Sequence, residues 1–198
     1  MSQAERVLGL DGVIAAAKEG RGLPPVHLWN PPHCGDIDIV IKPSGLWFHE
    51  GTPIGREGLV RLFASVLRKD PDGFHLVTPV EKLRITVEDA PFVAIRVDAQ
   101  VDAAGQPVLR FLTNVGDEVE ACADNPIRVA QAPDGEPRPY VHVRRGLEAL
   151  IARPVFYELA ELAEPRTIDG VRVMAVNSGG AWFAIGPDPA SESGPDEA

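Results

Sequence analysis

The chain has 198 residues, a net charge of −10 at pH 7 and a pI near 4.9. That length suits one domain or two small ones and buries about 70% of the unfolded surface, so the fold requires no metal or disulfide staple. The acidic balance excludes a surface that tracks long nucleic acid, which needs clustered Lys and Arg, but leaves room for a local basic pocket. Two cysteines point to a reducing compartment. No stretch approaches the ~18 apolar residues of a membrane span. Glu5, Arg6 and Asp11 interrupt any signal-peptide core, so the expected location is cytoplasmic.

In chain order, Val7, Leu10, Val13, Ile14 and Ala17 share one face of a predicted helix over 4–18, ended by Gly20 and Gly22. Pro24-Pro25 make an extended lead, and Trp29-Asn30-Pro31-Pro32 reads as a stiff clasp on the core. Ile37, Ile39 and Ile41 alternate as a strand, which Lys42-Pro43-Ser44-Gly45 turns back into Leu46-Trp47-Phe48. Thr52-Pro53 signals a helix whose apolar stripe is Leu59, Leu62, Phe63, Val66 and Leu67. Asp70-Pro71-Asp72-Gly73 is a turn. Strands are predicted over 74–80, 82–87, 92–101 and 108–114.

A second unit starts near Cys122, turns at Pro133-Asp134-Gly135 and runs through Tyr140–Val143 into a second predicted helix with Leu147, Leu150 and Ile151 inward. Pro154 either kinks that helix or starts a new one over 155–162. A hairpin over 171–176 and 181–185 closes the fold. Beyond it the composition is that of a disordered acidic tail carrying Asp188, Glu192, Asp196 and Glu197.

One stretch occurs twice. Arg56-Glu57-Gly58-Leu59-Val60-Arg61-Leu62-Phe63-Ala64 returns 88 positions later as Arg144-Arg145-Gly146-Leu147-Glu148-Ala149-Leu150-Ile151-Ala152. Cys34 and Asp36 match Cys122 and Asp124 at the same offset, and at an offset of 90 Pro43-Ser44-Gly45 meets Pro133-Asp134-Gly135. The expected fold is therefore α+β, with two duplicated units of strand, turn, strand, helix and two further strands, largely antiparallel sheets each packed by one helix. The expected divisions are 1–32 (helix and lead), 33–101, 102–187 and the tail 188–198.

No nucleophile elbow, P-loop, H-E-x-x-H or C-x-x-C is present, which points away from an enzyme. His33, Cys34, Asp36 and Asp38 are metal-ligand types, but without a second cluster solvated strand carboxylates account for them better. Glu81, Glu88 and Asp89 could serve as acid and base, with the turn before Pro91 as the plainer account. Cys34 and Cys122 occupy matching repeat positions, so a thiol switch requires the two to come within bridging distance. Arg56 and Arg144 are the most informative pair. Each is expected in the first turn of a helix, where free backbone N–H groups favour an anion and a guanidinium adds a planar fork. A structural ion pair with Asp36 or Asp124 is the competing account.

The runs Gly51-Thr52-Pro53-Ile54-Gly55-Arg56, Leu76–Lys82, Val87–Phe92, Thr113-Asn114 and Pro139-Tyr140-Val141-His142-Val143-Arg144, then Gly146–Ala149, together resemble the bacterial domain of unknown function family 1285. The resemblance covers roughly residues 24–163. It implies a duplicated α+β fold whose C-terminal part is loosely like a pleckstrin-homology domain. It also implies a nucleotide-like ligand at a domain interface, a role in signal transduction and hence a signalling-protein partner. The chain departs from the family pattern at Asn125, where a His precedes Pro126, and at Pro154, within a helix otherwise free of proline.

These observations combine into one expectation: a non-catalytic binding or sensor module, without a cofactor, for a small anionic ligand held between the two repeats. Arg56 and Arg144 would bind the anion, Thr113 and Asn114 would give directed hydrogen bonds, Tyr140 and His142 an aromatic wall, and Arg84 a supporting charge. The alternatives are a metal-assisted enzyme using Glu81, Glu88 and Asp89 with Asp36 and Asp38, and a redox switch through Cys34 and Cys122.

Overall fold

The computed structural model describes residues 23–133 and 135–191, so the helix expected over 4–18 and the acids from Glu192 onward lie outside the described residues. The fold is α+β and divides into two compact units, Met1–Pro91 and Phe92–Ala198. The boundary falls ten residues before the predicted 101/102 division. The strand Phe92–Val101 pairs only within the second unit, and that pairing assigns it there.

The first unit contains β1 (His33–Ile41), β2 (Trp47–His49), β3 (Thr52–Pro53), α1 (Glu57–Ser65), β4 (Leu67–Asp70), β5 (Gly73–Val77) and β6 (Lys82–Val87). They form one sheet in the order β3-β2-β1-β6-β5-β4, antiparallel throughout except for the parallel pair β1–β6. Ile39, Ile41, Trp47, Phe63, Val66, Leu67 and Val77 make its core, with Trp47 stacked on Phe63 at 6.1 Å between ring centres. The helix is shorter than its apolar stripe predicts. It ends at Ser65, whose hydroxyl donates to the Leu62 carbonyl (2.7 Å), and Val66-Leu67 continue the apolar run into β4. At its other end Arg56 is the N-cap, while Thr52-Pro53 form β3 instead of starting the helix. The Trp29 clasp is held through its backbone, since Arg68 donates to the carbonyls of Val26 (3.0 Å) and Trp29 (2.7 Å).

The second unit contains β7 (Phe92–Val101), β8 (Pro107–Thr113), β9 (Glu118–Glu120), β10 (Ile127–Gln131), β11 (Pro137–Arg144), β12 (Leu147–Ile151), α2 (Arg153–Leu162), β13 (Glu164–Ile168), β14 (Val171–Ser178) and β15 (Ala181–Pro187). One sheet runs β10-β11-β12-β7-β8-β9 and a second β13-β14-β15. The predicted second helix is corrected here, because residues 147–151 form strand β12. Leu147, Ala149 and Ile151 are buried at alternate positions, a period of two. The spacing Leu147, Leu150, Ile151 fits a helix equally well. Pairing with β11 on one side and β7 on the other decides for the strand. Pro154 then stands in the first turn of a new helix, where its missing N–H costs nothing.

The duplication is real at the level of elements but shifted from the identity match. Both units contain three strands, a helix and three strands: β1-β2-β3-α1-β4-β5-β6 and β10-β11-β12-α2-β13-β14-β15. The turns agree as well. Glu50-Gly51 (φ 48° and 73°) and Arg145-Gly146 (47° and 77°) both have the left-handed pair that two-residue hairpins need. The loops after β1 and β10 close with the same two backbone bonds, Lys42 to Leu46 and Gly45 to Lys42 against Ala132 to Glu136 and Gly135 to Ala132. The repeat offset is thus 90 at the first turn and 95 at the second, so the 88-residue identity match aligns a helix with a strand.

Asp188, assigned by composition to a disordered tail, is instead buried. It is ion-paired to Arg172 and accepts the Ala190 N–H at 3.0 Å. The Arg172 guanidinium, helped by that N–H, holds its carboxyl below the usual carboxylate range. A lowered folded-state pKa contributes stability above the unfolded pKa and loses it as pH falls through the folded one. Asp188→Asn should therefore melt below the parent at neutral pH, and the two melting temperatures should converge in acid.

The turn after β14 gives a second test. A Cβ on Gly179 would stand 2.9 Å from the Cys122 Cβ and 3.0 Å from the Ala121 carbonyl oxygen, whereas one on Gly180 meets nothing within 4 Å. Both have positive φ. Gly180→Ala should cost about 1 kcal/mol in urea denaturation, the backbone penalty alone, and Gly179→Ala clearly more. Equal losses would remove the close approach from the account.

Candidate functional site

Each unit has a pocket at the N-terminus of its helix. In the first unit a pocket of about 340 Å³ is lined by Ile39, Leu59 and Phe63 below and by His49, Thr52 and Arg56 at the rim. The chain arrives through Ile54-Gly55-Arg56. Gly55 and Gly58 carry no side chain and face open space, which leaves the backbone at the helix start bare. The Arg56 carbonyl accepts the N–H groups of Leu59 (3.0 Å) and Val60 (3.2 Å), the first bonds of α1. The unbonded N–H groups of the first turn give this end its positive field. Arg56 is exposed, and its side chain makes no hydrogen bond or ion pair among the described residues.

In the second unit a pocket of about 350 Å³ is lined by Pro137, Arg138, Ile151, Arg153, Phe156 and Tyr157. Its arginine at the helix start is Arg153, bonded to Glu136 at 2.8 Å with both side chains largely exposed. The arginine at the second helix start is therefore Arg153, one position inside the Ala152 N-cap, a residue sequence reasoning missed because the identity match points to Arg144. Pro154 marks the helix start and was the available signal.

Arg144 stands at the end of β11 rather than at a helix start. It is ion-paired to Asp117, with its guanidinium 4.9 Å from the Phe92 ring centre. Arg144 thus has an ion pair within its own unit, and the acid is Asp117 and not Asp124. Asp117 also ties in Thr113. The buried Thr113 hydroxyl accepts the Asp117 N–H (2.9 Å), and the Thr113 N–H donates to the Asp117 carbonyl (2.9 Å). Asn114 pairs with Val93, accepting its N–H at 2.9 Å and donating to its carbonyl at 2.8 Å. These residues together build the β8–β9 turn.

Tyr140 is buried, with Arg128 lying 4.2 Å over its ring and Arg138 donating to its hydroxyl at 3.2 Å. His142 accepts the Gly146 N–H at Nε2 (3.0 Å), which leaves its proton on Nδ1, 3.0 Å from the Asp124 carbonyl it donates to. Asn125 donates to the carbonyls of His142 and Val143 (both 3.0 Å), so the departure from the family pattern has a local structural role. Cys122 lies beside Asn125, its Sγ 3.8 Å from Oδ1.

In the first unit Cys34 is exposed, its thiol directed at the Pro32 carbonyl (3.3 Å), and both cysteines are free. Arg84 is exposed on β6, opposite His75 and Asp36 in register, and packs over Gly73. Asp36 and Asp38 are exposed on β1, with Asp36 3.7 Å from His33. Glu88 is ion-paired to Lys42, and the Glu81 N–H bonds the Thr78 hydroxyl (3.0 Å). The structure does not gather Glu81, Glu88 and Asp89 with Asp36 and Asp38 in either pocket. A polar group absent from the sequence reading also stands out, the fully buried His75 between Asp70 and Asp72.

Two family descriptions match the chain: "Domain of unknown function (DUF1285), N-terminal domain" over residues 24–90 and "Protein of unknown function (DUF1285), C-terminal domain" over 91–185. Their junction falls within one residue of the boundary between the units. The crystal structure of a DUF1285 family protein from Silicibacter pomeroyi DSS-3 is similar, with 49% identity and a TM-score of 0.80 over 91% of this chain and 98% of that one. A DUF1285 family protein from Shewanella baltica OS155 shares 27% identity and a TM-score of 0.47 over 62% of this chain and 90% of its own. No curated protein matches the chain.

The pairing of Arg144 with Asp117 can be measured. Both side chains are mostly shielded, so Arg144→Ala should cost about 2 kcal/mol, part of it from the carboxylate left behind. In a double-mutant cycle with Asp117→Ala, a coupling of about 1 kcal/mol is expected. A coupling near zero would mean that the ion pair adds nothing measurable to the fold.

Proposed function

The chain belongs to the DUF1285 family, and from that premise we propose that it is a non-catalytic binding module for a small anionic ligand with an apolar body. The observation that carries this reading is Arg56, an exposed guanidinium with no internal partner among the described residues. It stands at a helix N-terminus over a pocket floored by Ile39, Leu59 and Phe63. Burying such a cation in an internal pair would be the ordinary structural outcome, as it is for Arg144. At Arg56 the fork, the helix field and the bare backbone at Gly55 and Gly58 converge on open space, which suits a phosphate or carboxylate. The apolar floor suits a flat organic body. A pocket of about 340 Å³ lies at the small end of ligand sites and matches a mononucleotide better than a larger cofactor.

The site is placed here rather than at Thr113, Asn114, Tyr140, His142 and Arg144, because the polar groups of those residues are engaged within their own unit. The pocket at Arg153 is the same device with its arginine held by Glu136, and an incoming anion would have to displace that carboxylate. Sensing, and a signalling partner that reads the bound state, are the biological role this reading suggests for the family.

Adenosine monophosphate is a suitable probe, with inorganic phosphate as the control for charge alone. In amide NMR the nucleotide should shift Gly55–Leu59, and Arg56→Ala should weaken its binding at least tenfold, the loss of one charge-assisted hydrogen bond. Arg153→Ala should leave those shifts in place. Equal binding by Arg56→Ala, or shifts confined to other residues, would sink the assignment.

A further inference from the structure

The first unit contains a second polar constellation, independent of the anion pocket. His75 lies within β5, Asp70 ends β4 and Asp72 sits in the turn between them. The His75 side chain is 0% exposed, yet neither ring nitrogen has a hydrogen-bond partner among the described residues. Nδ1 is 3.7 Å from an Asp70 oxygen and Nε2 3.5 Å from an Asp72 oxygen. Both distances exceed the roughly 2.7–2.9 Å of a charge-assisted hydrogen bond. An imidazole buried with both nitrogens unpaired is a costly arrangement, and two carboxylates standing just too far away to relieve it require an explanation.

An ion takes one ring nitrogen only, and the 3.5 Å between Nε2 and the Asp72 oxygen is close to one coordination edge. Two ligand atoms each about 2.0–2.1 Å from a tetrahedral ion are about 3.3–3.4 Å apart. One donor atom from each of Asp70, Asp72 and His75 lies within 4.8 Å of the others. An imidazole nitrogen with two carboxylate oxygens suits zinc and its neighbours better than calcium or magnesium, which prefer oxygen alone. His33, with its ring centre 6.0 Å from that of His75, is a further imidazole beside the set.

We propose that His75, Asp72 and Asp70 form a binding site for one zinc-class divalent cation. This goes beyond the anion-binding reading and shares no residue with it. Asp70 also accepts two bonds from Arg68 (2.7 and 2.8 Å) and one from the Lys82 ammonium (3.2 Å). Arg68 orients the carboxylate. Lys82 holds the same oxygen a cation would use, so it acts as a built-in competitor that the metal displaces. Neutralising Lys82 should consequently tighten the site.

The test uses the full chain, purified without a metal-affinity tag and titrated with Co(II) and Zn(II). Visible absorption and calorimetry should report one equivalent bound. Asp72 is exposed in a turn, so Asp72→Asn should preserve the fold and weaken binding at least tenfold. His75→Gln should abolish binding, with the circular dichroism melt showing whether that variant folds. Lys82→Gln should tighten binding several-fold. Cys34→Ser separates this site from the exposed thiol and should change nothing. No saturable Co(II) binding by the parent chain, binding unchanged in Asp72→Asn, or binding lost in Cys34→Ser would each overturn the proposal.

Discussion

The first unit depends on the parallel pairing of β1 with β6. Antiparallel neighbours can be joined by a tight turn, whereas parallel ones need a crossover, and here the crossover contains β2, β3, α1, β4 and β5. The pairing brings residues 46 to 49 positions apart into register, from His33 against Lys82 to Ile41 against Val87, and Ile39 and Ile41 are completely buried. The Glu88 N–H continues the ladder to the Ile41 carbonyl (3.0 Å), and the Lys42–Glu88 ion pair closes its end. The connection must return across the sheet, so α1 begins where β3 ends and its N-terminus faces the Ile39 side of β1. The pocket at Arg56 is a consequence of that return path.

The second unit repeats the scheme with a different partner exchange. β12, the strand before the helix, pairs in parallel with β7, and β13-β14-β15 form a sheet of their own. Buried Ser178 joins the two sheets, donating to the Ala121 carbonyl (2.7 Å) and accepting the Leu109 N–H (2.8 Å). The next residue donates its N–H to the Pro107 carbonyl (3.0 Å), so Gly179 lies against Ala121 and Cys122, where no side chain fits. A buried hydroxyl that satisfies one donor in β8 and one acceptor just after β9 is a specific link, because any slip leaves both unpaired.

Charge is used differently at the two helix starts and the β11 end. Arg144 is shielded and paired, Arg153 is paired at the surface, and Arg56 faces its pocket. The first is a structural cation whose removal strands Asp117. The last has no carboxylate partner among the described residues of its unit. His75 is the converse case, a neutral base inside the unit whose burial pushes its pKa down against the pull of Asp72 and Asp70. Sequence inspection does not separate these cases. Burial and aim distinguish them.

The chain by itself determined the α+β class, the two-unit plan, most strands and the turns. Alternation at Ile37-Ile39-Ile41 and the Pro-x-Gly and Gly-Gly turns are local properties, because backbone conformation at those positions follows from the residues themselves. The family resemblance was legible for the same reason, in runs of consecutive residues. Tertiary structure alone decided that residues 147–151 are a strand, since Leu147-Leu150-Ile151 and Leu147-Ala149-Ile151 satisfy both periods and only pairing with β11 and β7 breaks the tie. It likewise decided that Arg153 and not Arg144 stands at the second helix start, that Asp117 holds Arg144, and that His75 is buried between Asp70 and Asp72. Those relations span sheet partners and turns, and the side chain a residue meets across a sheet is set by register, which no stretch of neighbouring residues encodes.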